Sequence, residues 1–219
     1  AIKPDDPHFA RTRLLCLENT LGGRLMPMVY LRDATALAGR HGLATHLDGA
    51  RLFNAAVGLG GDPRANAREM AELFDSVSVC FSKGLGAPAG SALVGSAELI
   101  ARAKRVRKMA GGTMRQAGIL AAAAMHALDH HIDRLADDHA RARRLAEGLQ
   151  GLPGVTVQMP QTNMVFIDLP RERAAAAVAA LREQGVLSTG LYQLRLVTHL
   201  DVNDEQIDQA IAALRRALH

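Results

Sequence analysis

Hydrophobic and polar positions along the chain switch repeatedly between period two and a helical period, and that switching is the first clue to its architecture. Residues 77–81 are apolar or small, rich in β-branched side chains and too short for a helix, so they read as a strand covered on both faces. Residues 13–17 and 44–48 read as two more strands. Helical patterns follow at 30–40, 51–57 and 97–108, with a turn at His41-Gly42. Basic residues crowd the last turns of 97–108, where they complement the helix dipole. Gly111-Gly112 breaks that pattern, and the spacing then predicts one long alanine-rich helix from Thr113 to about Leu149. Its apolar positions Ile119, Leu120, Met125, Leu128, Ile132 and Leu135 would pack against a neighbouring unit. Toward the C-terminus the pattern predicts strands at 154–159, 164–169 and 194–198, and helices at 171–184 and 203–218. Alternating strands and helices followed by a shorter mixed segment imply an α/β domain with a mostly parallel sheet, joined to a small α+β domain.

Candidate chemistry sits at two predicted strand ends. Lys83 leaves the strand at 77–81 and enters a turn with Gly84, Gly86 and Gly90. Ligands of such sheets bind outside the carboxyl ends of the strands, where glycines let the backbone come close to a bound group. A solvated loop lysine is the alternative. In His46-Leu-Asp48-Gly-Ala-Arg51 the acid also stands at a strand end, with His46 on its face and Leu47 on the other. Asp48 alone would be read as a cap for the helix at 51–57. Together with Lys83 on a sheet of the same sense, it suggests a cofactor that needs one carboxylate and one amine, as pyridoxal phosphate does.

Composition narrows the class without identifying it. A chain of 219 residues with 48% hydrophobic content buries a substantial core, and its formal charge of +4 is small for that length. Scattered arginines and 3% aromatic residues do not make a nucleic-acid surface. No apolar stretch approaches a membrane span and no signal-peptide pattern opens the chain, so a cytoplasmic protein is expected. Cys16 and Cys80 lie in apolar strand patterns without Cys-x-x-Cys spacing, and buried thiols are expected. His126 and His130 are four apart on a helix, but no carboxylate or cysteine signature closes a metal site. Asp129, Asp133, Arg134 and Asp137 read as a solvated helix surface, so no metal is expected.

Several segments, in order, carry a resemblance. Leu17-Glu-Asn-Thr20, His46-Leu-Asp-Gly-Ala-Arg51, Phe81-Ser-Lys-Gly-Leu-Gly-Ala-Pro88, Arg107-Lys-Met-Ala-Gly-Gly-Thr-Met-Arg-Gln116 and Leu194-Arg-Leu-Val-Thr-His199 are similar to segments of the low-specificity L-threonine aldolases. Those are pyridoxal-phosphate enzymes of fold type I. The resemblance implies Lys83 as the residue that holds the cofactor aldehyde and Asp48 on the ring nitrogen. Arg195 would bind the substrate carboxylate, and Arg51 would contact the cofactor's phenolic oxygen or the substrate. Arg115 would approach the cofactor, reaching it from a neighbouring subunit, and Lys108 matches a further position near the site. The implied reaction is cleavage of L-threonine or L-allo-threonine to glycine and acetaldehyde by a homo-oligomer, dimer or tetramer. The division implied is 1–125 for the cofactor-binding domain and 126–219 for the small one.

The resemblance also exposes departures. By analogy the family carries roughly a hundred residues ahead of Ala1, with the phosphate-binding Gly-Thr turn and a ring-stacking histidine, so activity is expected only where that part is present. Leu21 stands where many members have a histidine touching the substrate hydroxyl, which leaves the base and the threo or erythro preference open. Another fold type I lyase and a non-catalytic remnant stand as alternatives.

Overall fold

A computed structural model describes residues 2–190 and 193–218. Its first sheet has the order β1 (Leu14–Glu18), β2 (Ala44–Gly49), β3 (Ser76–Cys80), β4 (Ser91–Gly95). The first three strands are parallel, with Glu18 opposite Asp48 and Asp48 opposite Ser78, and β4 returns antiparallel to β3. The parallel run is built by crossovers through α1 (Met28–Arg40), α2 (Leu52–Gly58) and α3 (Pro63–Glu72). Leu31, Leu47, Leu52, Met70, Val77 and Val79 close the core between these helices and the sheet. Asp75 fixes the strand register from below, its carboxylate accepting from both the backbone N–H and the hydroxyl of Thr45.

Two elements were not announced by the hydrophobic pattern. The helix α3 is specified locally instead, by Pro63 in its first turn and by Asp62, whose carboxylate accepts from the Arg64 N–H at 2.8 Å. Strand β4 follows the lysine turn directly, and then Ser96 caps α4 (Ala97–Met109).

The single long helix expected from Thr113 does not form. Residues 111–117 are irregular and exposed, with Gln116 at a φ of 48°, and α5 (Gly118–His130) begins after them. The chain breaks again at 131–134 before α6 (Leu135–Gly148). Alanine supplies helix propensity throughout but no preference for one straight axis, so tertiary contacts at the corner decide. Ile132 and Leu135 are buried there, as their spacing suggested, whereas Ile119 and Met125 are largely exposed.

The second sheet is antiparallel, ordered β5 (Thr156–Gln158), β6 (Met164–Asp168), β7 (Gln193–Val197). With α7 (Arg171–Glu183), α8 (Asp204–Leu218) and the later part of α6 it encloses a core around Leu145, Leu149, Val165, Ile167, Leu194 and Leu214. Helix α6 therefore serves two cores, because its first residue Leu135 packs with Leu85, Ala87 and Ile132 instead.

Candidate active site at the strand ends

The parallel register brings Glu18, Asp48 and Cys80 to one edge of the sheet. Arg51 follows two residues after β2 and Lys83 three residues after β3. A cavity of about 350 Å³ opens there, lined by Arg51, Ser82, Lys83, Gly84, Gly86 and Ala87 on one side. Asn163, Val197, His199, Leu200 and Asp201 of the second unit close the other side. Lys83, Asp48 and Arg51, expected at strand ends from the sequence, all stand at this edge. Asp48 stands beside the cavity and is exposed.

Asp48 does not cap α2. The N-cap is Arg51, with no side-chain cap bond, while Asp48 Oδ1 accepts from the Ala50 N–H at 2.9 Å. That local turn holds the acid at the strand end and leaves its outer oxygen available. On the same face, half-buried His46 is tied sideways to β3, its Nδ1 lying 2.8 Å from Ser76 Oγ.

Arg51 is half-buried, and its proton affinity is lowered first by desolvation and then by Arg195, partly offset by Glu18, Cys80 and Asp48. Arg195 lies on the exposed face of β7, between buried Leu194 and Leu196, and its Nε donates to Thr189 Oγ1 at 3.2 Å. The alternation anticipated for this strand is therefore present, and Val197 and His199 continue its face into the cavity. The His199 Nδ1 accepts from the Asp201 N–H at 3.3 Å.

Arg115 and Lys108 are outside this constellation. Arg115 lies in the exposed stretch ahead of α5 and Lys108 in the exposed last turn of α4; neither lines the cavity of this chain. Both cysteines are less buried than expected. Cys16 faces outward on β1, an edge strand among the described residues, and Cys80 is half-buried at the cavity end of β3, with Sγ 3.4 Å from Ser82 Oγ. Nor is Arg134 a solvated surface residue. It pairs with fully buried Asp138 one turn on, whose carboxyl is pushed up by burial, with Arg134 opposing.

Sequence reading missed Asn163. It is buried just before β6, where its Nδ2 donates to the Thr198 carbonyl at 2.9 Å and its Oδ1 has no partner among the described residues. Its neighbour Thr162 donates to the Gly23 carbonyl at 2.7 Å, and the Leu25 N–H donates to Gln161 Oε1 at 2.7 Å. This stitching fastens the turn after β1 to the second sheet. Three polar residues in a row at 161–163 were the available signal, but the partners of Gln161 and Thr162 are more than a hundred residues away and that of Asn163 is 35 residues on.

The donor set fits a group with an aldehyde, a basic ring nitrogen and an anionic substrate. Lys83 offers a primary amine with no ion pair among the described residues, Asp48 a carboxylate on the adjacent strand, and Arg51 with Arg195 two cations. Comparison with known proteins points the same way. The family model described as beta-eliminating lyase matches residues 1–172. The low specificity L-threonine aldolase of Escherichia coli O157:H7 is 48% identical over 217 residues, covering 99% of this chain and 64% of that protein. Low-specificity L-threonine aldolase 1 of Arabidopsis thaliana is 40% identical over 220 residues, covering 96% of this chain and 60% of that one. The chain thus spans less than two thirds of the length of these curated relatives. Among solved structures, the threonine aldolase of Leishmania major aligns with a TM-score of 0.80 at 22% identity, covering 98% of this chain and 64% of that chain. That likeness bears on the fold, which is the fold type I arrangement expected from the sequence.

Proposed function

This chain belongs to the beta-eliminating lyase family, and we propose that it carries the lysine-bearing site of a pyridoxal-phosphate-dependent aldolase cleaving L-threonine and L-allo-threonine to glycine and acetaldehyde. The observation that carries this reading is the cavity shared by Lys83 and Arg51, with Asp48 on the adjacent parallel strand. Pyridoxal phosphate, when bound, supplies an aldehyde that captures amines and a ring that accepts the electron pair of a bond breaking at Cα. The Nζ of Lys83 is the amine that would hold that aldehyde and exchange with the substrate amine. Asp48 would hold a proton on the ring nitrogen through the oxygen that Ala50 leaves free.

Arg195 would grip the substrate carboxylate, and Arg51 would share that contact or turn to the cofactor's phenolic oxygen. A planar guanidinium fixes both carboxylate oxygens and thereby turns the Cα–Cβ bond toward the ring's π system. Arg115 would reach the cofactor of a neighbouring copy. On this reading residues 1–125 form the cofactor-binding unit and 126–219 the small one, bridged by α5. The protein would work in the cytoplasm as a homo-oligomer, dimer or tetramer, which the exposed Val106, Met109, Ile119 and Met125 support.

The test uses the protein from its complete reading frame, supplied with pyridoxal phosphate and L-threonine. Acetaldehyde release is expected, and borohydride reduction before substrate should attach the cofactor to the peptide containing Lys83. Attachment at another lysine, or full turnover in Lys83→Ala, would overturn the assignment.

A further inference from the structure

The turn that presents Lys83 is held from outside as well as by its own backbone. Its own bonds run from the Gly86 N–H to the Lys83 carbonyl at 2.9 Å and from the Ala87 N–H to the Phe81 carbonyl at 3.0 Å, and side chains of α2 and of the α5–α6 region press on it from outside. A methyl group built on Gly84 would stand 2.5 Å from Asn54 Oδ1 and 3.0 Å from Leu135 Cδ2. The backbone next to Lys83 is therefore pressed against the Asn54 carboxamide, and only glycine permits that approach. Asn54 is 2% exposed and sits on α2, three residues after Arg51.

Asn54 is in turn held by α6, its Nδ2 donating to His139 Nε2 at 3.2 Å. An amide nitrogen can only donate, so Nε2 must present a lone pair and the ring must be neutral. Burial, with Arg143 adding, holds the His139 pKa down to about 4, consistent with that role. From the other side His131 donates its Nδ1–H to the Leu85 carbonyl at 2.6 Å. Two imidazoles, His131 at the α5–α6 corner and His139 one turn into α6, thus support the turn in opposite hydrogen-bonding roles, the first directly and the second through Asn54.

We infer that Asn54 and His139 are positioning residues for Lys83, bracing Gly84 so that the amine is held at the cavity. The inference rests on the lysine chemistry proposed above. Neither side chain lines the cavity, so their effect is on the pose of Lys83 and not on substrate contact. The glycine between lysine and brace transmits it.

The experiment compares wild type with Asn54→Ala, His139→Leu and His139→Gln, whose side-chain carbonyl offers an acceptor near the position of Nε2. Amide hydrogen exchange of residues 84–86 is measured without cofactor, and trapping of Lys83 by pyridoxal phosphate with borohydride is timed. Asn54→Ala and His139→Leu should exchange these amides about tenfold faster or more, since the turn then opens locally. Trapping should slow, and kcat should fall by roughly ten- to a hundredfold with KM for L-threonine nearly unchanged, the signature of a misplaced reacting group. His139→Gln should recover most of the loss.

Wild-type exchange and trapping in Asn54→Ala and His139→Leu would overturn the inference, as would a His139→Gln variant as impaired as His139→Leu. If Asn54→Ala does not fold, the comparison of the two His139 variants decides alone. A wild type that neither traps the cofactor nor cleaves threonine would sink the proposed function instead, and the exchange of residues 84–86 would still decide the brace.

Discussion

Arg51, at the cavity wall, lies close enough to Arg195 on β7 that the second cation lowers the proton affinity of the first, and neither has an ion pair among the described residues. Two like charges held near each other and only partly offset by Glu18 and Asp48 favour an anion that bridges them. Arg195→Ala is expected to lower kcat/KM for L-threonine by roughly ten- to a hundredfold, from the loss of charge-assisted hydrogen bonds. Arg195→Lys should recover only part, because an ammonium cannot match both carboxylate oxygens. Steady-state kinetics check this, and an Arg195→Ala enzyme with unchanged kcat/KM removes the residue from substrate binding.

Asp48 is expected to act on the ring electronics and not on retention of the lysine-bound cofactor. Asp48→Ala should keep the visible absorbance of the loaded protein but lose at least about a hundredfold in kcat. Asp48→Glu should rescue partly, since the longer chain misplaces the contact. Turnover at the wild-type rate in the alanine variant would reduce Asp48 to its turn with Ala50.

His139 gives a pH dependence of stability with a definite sign. Its folded pKa of about 4 lies below the ordinary 6.5, so the unfolded chain takes up a proton before the native one does. Its contribution is complete above about 6.5 and is lost as pH falls toward 4, by at most roughly 3 kcal/mol. Denaturant unfolding from pH 7 to pH 4 should therefore be flatter in His139→Gln than in wild type. Parallel curves would show that the imidazole is not held neutral.

The exposed apolar side chains of α4 and α5 are expected to meet a second copy of the chain. Met109 and Ile119 are 86% and 83% exposed. Light scattering should find a dimer or larger species at micromolar concentration, and Met109→Glu with Ile119→Glu should shift it toward monomer. A monomeric wild type would remove the self-association.

How far the sequence carried the fold depends on the range of the forces involved. Residues 77–81 were legible because a buried parallel strand is continuously apolar or small, and 44–48 because a short segment after the His41-Gly42 turn ends on Asp48. The helix break at 131–134 was not, since nothing within the window 113–149 opposes helix except Gly118 and Gly148 near its two ends, and the corner packs on Leu85 and Ala87 some fifty residues earlier. Asn54 and Asn163 escaped notice for the same reason. A buried asparagine is chemically silent until its partners, His139 and Thr198, are brought to it.

The corner between α5 and α6 has a consequence for anyone altering substrate scope. Leu135 and His131 touch the lysine turn, while Ala142 and Leu145, two turns further along the same helix, belong to the core behind Arg195. Helix α6 is a stiff lever with one end on the turn that carries Lys83 and the other beneath the strand that carries Arg195. Changes made to enlarge or reshape the small unit are not independent of the nucleophile. Libraries that vary that core should be screened for cofactor attachment as well as for the new substrate.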